Sequence, residues 1–182
     1  MIHEEVKRLK QEFFAYRNGI VADMLRDAGD CHKVIFGLNI PQLIGIANET
    51  GKNADVARKL WQNADCRESR LLAPMIFPAQ TMTVDEAHQW MEDVKNVEIA
   101  DNLCHKLLKH LPFAETLIAE CATSKNDLVR YAAFRLAMNL LCTNALTGHS
   151  ALAALAKQEM ERDCSLTRAL CMEIGNDIGQ TN

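Results

Sequence analysis

Apolar residues recur at three- and four-residue intervals through nearly the whole chain, while alternating strand-like runs are almost absent. That rhythm restricts the fold to helices that bury one face each. Val6, Leu9, Phe13, Phe14, Ile20, Val21, Met24 and Leu25 form one such stripe and predict a single long helix from Met1 to Asp27, ended at Gly29-Asp30. An apolar turn over Val34 to Pro41 leads into a helix from Ile40 to Thr50. Pro41 sits in its first turn, where a missing N–H is harmless, and Gly51 closes it. Further helices are expected from Asn53 to Asn63, Arg67 to Phe77, Thr83 to Val94, Asn96 to His110 and Pro112 to Cys121. Three more follow over Leu128 to Leu141, Ser150 to Met160 and Ser165 to Ile178. Thr83 with Glu86, and the stretch Ser124 to Asp127, supply helix-start signals.

Connections of about two to six residues suit antiparallel neighbours. Paired helices recur about every thirty residues, from Ile40, Arg67, Asn96 and Asp127. A helical pair cannot bury its apolar face alone, so stacking is implied. The reading is an all-α, HEAT-like helical-repeat superhelix formed as a single domain over residues 1–182, with a compact bundle as the structural alternative.

A net charge of -4 at pH 7 gives no basic surplus of the kind common in nucleic-acid binders. No apolar run is long enough for a membrane span, and the charged start of the chain lacks a signal core, which predicts a cytoplasmic protein. The 7 cysteines form no CxxC pair. Cys66, Cys104, Cys121 and Cys142 fall inside apolar patterns and read as buried, reduced thiols. The pairs Cys31–His32 and Cys104–His105 lack the spacing of a structural zinc site, so no metal is expected. Trp61 and Trp90 read as core anchors, and Met138, Met160 and Met172 as gap-fillers.

Several segments, in order, resemble a known family. Phe36-Gly37, followed by Pro41-Gln42-Leu43, is similar to the start of its first repeat. Leu60-Trp61 followed by Arg67-Glu68-Ser69-Arg70 is similar to its next helical pair. Asn96 to Cys104 resembles its tryptophan-acid-x-x-aspartate stretch, Leu128 to Phe134 its arginine-containing helix start, and Leu166 to Met172 a later tryptophan-bearing helix. Together they resemble the DNA alkylation repair family of HEAT-like-repeat glycosylases. That resemblance implies a basic groove for duplex DNA and hydrolysis of the N-glycosidic bond of cationic alkylpurines, without metal or organic cofactor. Loss of a cationic base leaves an oxocarbenium-like sugar, which a carboxylate can stabilise.

On this resemblance Asp101 takes the place of the catalytic aspartate, and Val97 and Met172 line the lesion pocket where the family carries tryptophans. The family's arginine position falls on Tyr131, with Arg130 beside it. The pocket would lack aromatic walls, and catalysis would be weak or lost. Asp101 also reads as an acid complementing the start of a helix, and Glu98 as a neighbour at the site or a surface acid. Arg67, Arg70, Lys106, Lys109, Arg130, Tyr131 and Arg168 are the expected DNA contacts; Lys125 and Arg135 lie on or near the same helices. The alternative makes these arginines and lysines solvated charges or partners of Glu68 and Asp127. Two functions remain: a DNA-binding repair protein, and a helical scaffold for a protein partner.

Overall fold

The computed structural model describes residues 2–180, and among them it contains helices and turns but no strand beyond an isolated bridge between Val34 and Cys66. The chain divides into two compact units, the first ending at Thr81 and the second beginning at Met82. Among the described residues no helix is long and apolar enough to cross a membrane.

The first unit holds α1 (Ile2–Ala15), α2 (Gly19–Asp27), α3 (Ile40–Thr50), α4 (Ala54–Gln62) and α5 (Arg67–Ile76), then a 3-10 turn at Ala79–Thr81. The expected first helix is in fact two; Met1 lies outside the described residues. Asn18 is the reason. Its backbone is extended and its side chain caps α2 by accepting the Val21 N–H at 3.2 Å. Its own N–H donates to the Phe36 carbonyl at 2.8 Å, a tertiary bond that an apolar stripe cannot foretell.

Helix α3 begins with a capping box: Asn39 accepts from the Gln42 N–H, and the Gln42 side chain accepts from the Asn39 N–H. Asn53 caps α4 in the simpler one-way manner. Helix α5 is buried along its whole length and packs against α3 and α4. It begins with Arg67, Glu68, Ser69 and Arg70, all buried, so its polar start must be satisfied internally. Glu68 meets that need. Its carboxylate accepts the N–H groups of Phe36 and Gly37 at 3.1 and 3.0 Å and pairs with Arg67 at 3.0 Å. Gly37 is required at this junction. Its φ is +82°, and a Cβ there would overlap the Asn18 carbonyl oxygen.

The second unit holds α6 (Val84–Glu92), α7 (Val97–Lys106), a 3-10 turn at Leu108–His110, α8 (Ala114–Cys121), α9 (Asp127–Leu141), α10 (His149–Glu161) and α11 (Ser165–Gln180). The expected helix to His110 stops early because the backbone leaves helical geometry at Leu107. Helix α9 is the core element, packed on α7, α8 and α11. Ala132, Ala133 and Ala137 are fully buried on it and let neighbours approach closely. Cys104 of α7 donates its thiol to the Ala132 carbonyl at 3.2 Å.

Arg130 of α9 ties α10 into this core. Its Nε donates to both oxygens of Glu159, at 2.9 and 3.0 Å, and its remaining nitrogens reach the Ser124 carbonyl and Asp127. Thr167 of α11 donates to the same Glu159 carboxylate at 2.8 Å. Burial works against the Arg130 charge, but Glu159 and Asp127 outweigh it and raise its pKa.

Trp61 and Trp90 are buried, as expected of core anchors. Cys66, Cys104 and Cys121 are buried too, whereas Cys142 caps the end of α9 and is exposed. Met160 and Met172 are exposed rather than filling gaps. Removing one partner of a buried pair strands the other charge, which costs about 3–5 kcal/mol. Glu159→Ala should therefore lower stability by about that amount in urea unfolding, and Arg130→Met with Glu159→Leu should recover most of the loss.

Candidate functional site

Asp101 lies in the second turn of α7; Glu98, half-buried, holds the first. Asp101 is therefore not the first-turn acid of this helix; that place is taken by Glu98. Its side chain is 41% exposed, and two groups from α9 converge on its Oδ1. Tyr131 donates its hydroxyl at 2.8 Å, and Arg135 Nε stands 2.8 Å away in an ion pair. Arg135 also donates to the Tyr131 oxygen at 3.0 Å and lies against its ring. Tyr131 and Arg135 are four residues apart and so share one face of α9. Val97 stands one turn before Asp101 on α7, half-buried.

The arginine that meets Asp101 is thus Arg135 and not Arg130. Successive helical residues point about 100° apart. Tyr131 takes the face toward α7, which turns Arg130 toward α10 and Glu159. Arg130 is 4% exposed and committed to its carboxylates, so the expected phosphate contact is corrected to a structural pair. Tyr131 is likewise corrected, from a DNA contact to the hydrogen-bond donor of Asp101.

The same correction applies to Arg67 and Arg70. Arg67 is buried, donating to the Leu38 carbonyl at 3.1 Å and pairing with Glu68. Arg70 is buried with its guanidinium 4.3 Å from the centre of the Trp61 ring. Arg168 is exposed on α11 and pairs with Asp163. Lys106 and Lys109 are half-buried near the end of α7, with Lys109 3.3 Å from His105 Nδ1. Desolvation and the charges of Lys109, Lys106 and His110 lower the His105 pKa, so this cluster is electropositive. Met172 is 55% exposed on α11. Sequence spacing could have revealed the Tyr131–Arg135 pair; the partnership of Arg130 with Glu159, 29 residues on, has no local signal.

Two other clusters bear on chemistry. Cys121 Sγ lies 3.5 Å from His88 Nδ1, and His88 Nε2 lies 2.6 Å from Glu120. The order is that of a thiol, a base and an acid, but burial and the charges of Glu92 and Glu120 push the thiol up to about 12. It remains protonated and is not a nucleophile. Asp30, Cys31 and His32 bring three donor atoms within 4.8 Å, a grouping that could meet a metal ion. Asp30 already holds His32 Nδ1 at 2.6 Å, a bond that orders the loop after α2.

The helical array defines the class of fold. A solved structure described as a new family of proteins related to the HEAT-like repeat DNA glycosylases, with affinity for branched DNA structures, superposes with a TM-score of 0.83. The match has 17% identity and covers 94% of this chain and 74% of that one, which shows the HEAT-like repeat fold. The family model of the DNA alkylation repair enzyme matches residues 9–168, and the chain belongs to that family. No curated protein matches the chain.

The Tyr131 hydroxyl provides a test of this geometry. Burial raises its pKa, and Asp101 raises it further while Arg135 opposes. Replacing the carboxylate by an amide removes a charge that favours the neutral phenol. Ultraviolet titration of the phenolate should thus show Tyr131 ionising at lower pH in Asp101→Asn than in the parent. An unchanged titration would contradict the Asp101–Tyr131 contact.

Proposed function

We propose that this chain binds DNA as a divergent member of its repair family, and excises cationic alkylpurines slowly or not at all. The observation that carries the reading is the state of Asp101. A half-exposed carboxylate at the family's aspartate position could favour positive charge developing on a sugar. Here a guanidinium already stands 2.8 Å from its Oδ1. A developing cation would meet a carboxylate whose charge is largely balanced. Only the second oxygen, Oδ2, is available to a sugar or a water without displacing Tyr131 or Arg135. Val97 and Met172 offer no aromatic face to a cationic base.

Each lost cation–π contact is worth roughly 0.5–2 kcal/mol, so two could cost about fivefold to a thousandfold in rate if both act at the transition state. Of the basic residues singled out in the sequence, Lys125 and Arg168 are exposed, with Lys106 and Lys109 half-exposed beside His105. The burial of Arg67, Arg70 and Arg130, together with a net charge of -4, favours the second reading, a scaffold for a protein partner. Cytoplasmic residence belongs to the proposal on the same family grounds.

Base release from methylated duplex DNA decides the point. The parent should release 7-methylguanine at a rate near background, and Asp101→Asn should change little. Arg135→Ala, which unmasks the carboxylate, should raise any residual rate. Rapid release abolished by Asp101→Asn would overturn the reading of weak catalysis. Duplex binding should be weak and fall steeply with salt. A lack of DNA binding even at low salt would move the protein to the scaffold reading.

A further inference from the structure

The surface around the end of α1 and the start of α2 combines an aromatic ring with positive charge in a way the site at Asp101 does not use. Phe14 is 56% exposed near the end of α1. Burial of its neighbour Phe13 accounts for the helix packing, so the core does not require a second ring there. Two clefts meet at Phe14 and Phe36. One, of about 480 Å³, is lined by His3, Val6, Lys7, Lys10 and Gln11. The other, of about 540 Å³, is lined by Arg17, Gly19, Ala22, Arg26 and Ile35. Among the described residues lining them, neither cleft contains a carboxylate.

That segregation follows from helix geometry. Residues 3, 7, 10 and 14 fall on one face of α1 by the three- and four-residue rule. Glu5 and Glu12 fall on another face, where both pair with Arg8 beside Thr50. The groove on that side is lined by Glu4, Glu5 and Asp55, with Arg8. Helix α1 therefore turns its acids to one groove and His3, Lys7 and Lys10 to the other. Arg26 is paired with Asp23 at 2.8 Å, which leaves Lys7, Lys10 and Arg17 as the principal cations around Phe14.

The aromatic walls are rigid. The Phe36 N–H is held by Glu68, its carbonyl accepts from Asn18, and its ring packs 6.0 Å from that of Phe13. Arg17 stacks over Phe14 at 3.9 Å and donates to the Phe14 carbonyl at 2.8 Å. The guanidinium covers one face of the ring, and the ring's exposure lies on its remaining surface.

We propose that this surface binds single-stranded DNA, with an unpaired base stacked on Phe14 and flanking phosphates held by Lys7, Lys10 and Arg17. A duplex keeps its bases stacked and presents phosphates, for which cations suffice. An exposed aromatic between cations matches a strand whose bases are free, since every base has a face to stack. Cations also complement the phosphates, whereas an apolar partner protein would leave them unmatched. The proposal rests on the DNA-binding reading above and adds a strand form and a place for it.

The experiment uses the full chain and a fluorescent oligothymidine carrying one 2-aminopurine, beside a blunt duplex of equal length. Binding should quench the 2-aminopurine by stacking. Phe14→Ala should abolish the quench and weaken strand binding about fivefold to a hundredfold, while Phe14→Trp restores both. Circular dichroism checks that each variant is folded. Lys7→Ala and Lys10→Ala should each weaken binding and reduce the dependence of log affinity on log salt by about 0.7. A quench that survives Phe14→Ala overturns the proposal, as does a salt dependence unmoved by the lysine variants. Parent protein that binds the duplex but not the strand overturns the proposal and leaves the DNA-binding reading standing; binding to neither overturns both. Phe14-dependent sedimentation with anionic vesicles, without any quench by the strand, would overturn the proposal and assign this surface to lipid instead.

Discussion

A carboxylate removed from water must be met by donors and by positive charge, and Glu68 and Glu159 impose that condition on the two units. Glu68 gathers the N–H groups of Phe36 and Gly37 and the guanidinium of Arg67. This fixes the segment between α2 and α3 against the start of α5. The break between α1 and α2 depends on it, because Asn18 bonds to the same Phe36. Glu159 gathers Arg130 and Thr167 and so joins α9, α10 and α11. In each unit an arginine near the start of a buried helix is the counter-charge.

This use of arginine shapes the surface that remains for function. Basic residues at helix starts look from a distance like a row of phosphate contacts. Three of them neutralise or cover the interior instead: Arg67 on Glu68, Arg130 on Glu159, and Arg70 over Trp61. What remains exposed is more local. Lys106 and Lys109 form one electropositive cluster with His105, and Lys7, Lys10 and Arg17 border another beside Phe14.

At Asp101 the same economy of charge acts at closer range. Tyr131 donates its hydroxyl to the carboxylate, and Arg135, one turn later, supplies a cation to the same oxygen. Cys104 lies one turn beyond Asp101 within the core, where burial and the charge of Asp101 hold its thiol in the protonated form. The chemistry open to the site is that of the carboxylate with its phenol and guanidinium, not of a thiolate.

The helical class, most helix boundaries and the order of the repeat motifs were legible in the sequence, because apolar spacing and capping residues are local signals. Asn53, Thr83, Asn96 and Asn126 announce their helices by their own side chains. The motif around Asp101 singled it out as a candidate, whereas its contacts with Tyr131 and Arg135 came only from the fold, although the four-residue spacing of those two is a local signal. The break at Asn18, the burial of Arg67 and Arg130, and the exposure of Phe14 were not legible. Each depends on a partner at least 18 residues away or on the direction a helix face takes once packed. The sequence by itself determined that this chain folds into stacked helices with a carboxylate at position 101. Only the tertiary structure decided which charges were drawn inside to neutralise buried acids and which stayed at the surface, because charge pairing is settled by proximity in space and not by spacing along the chain.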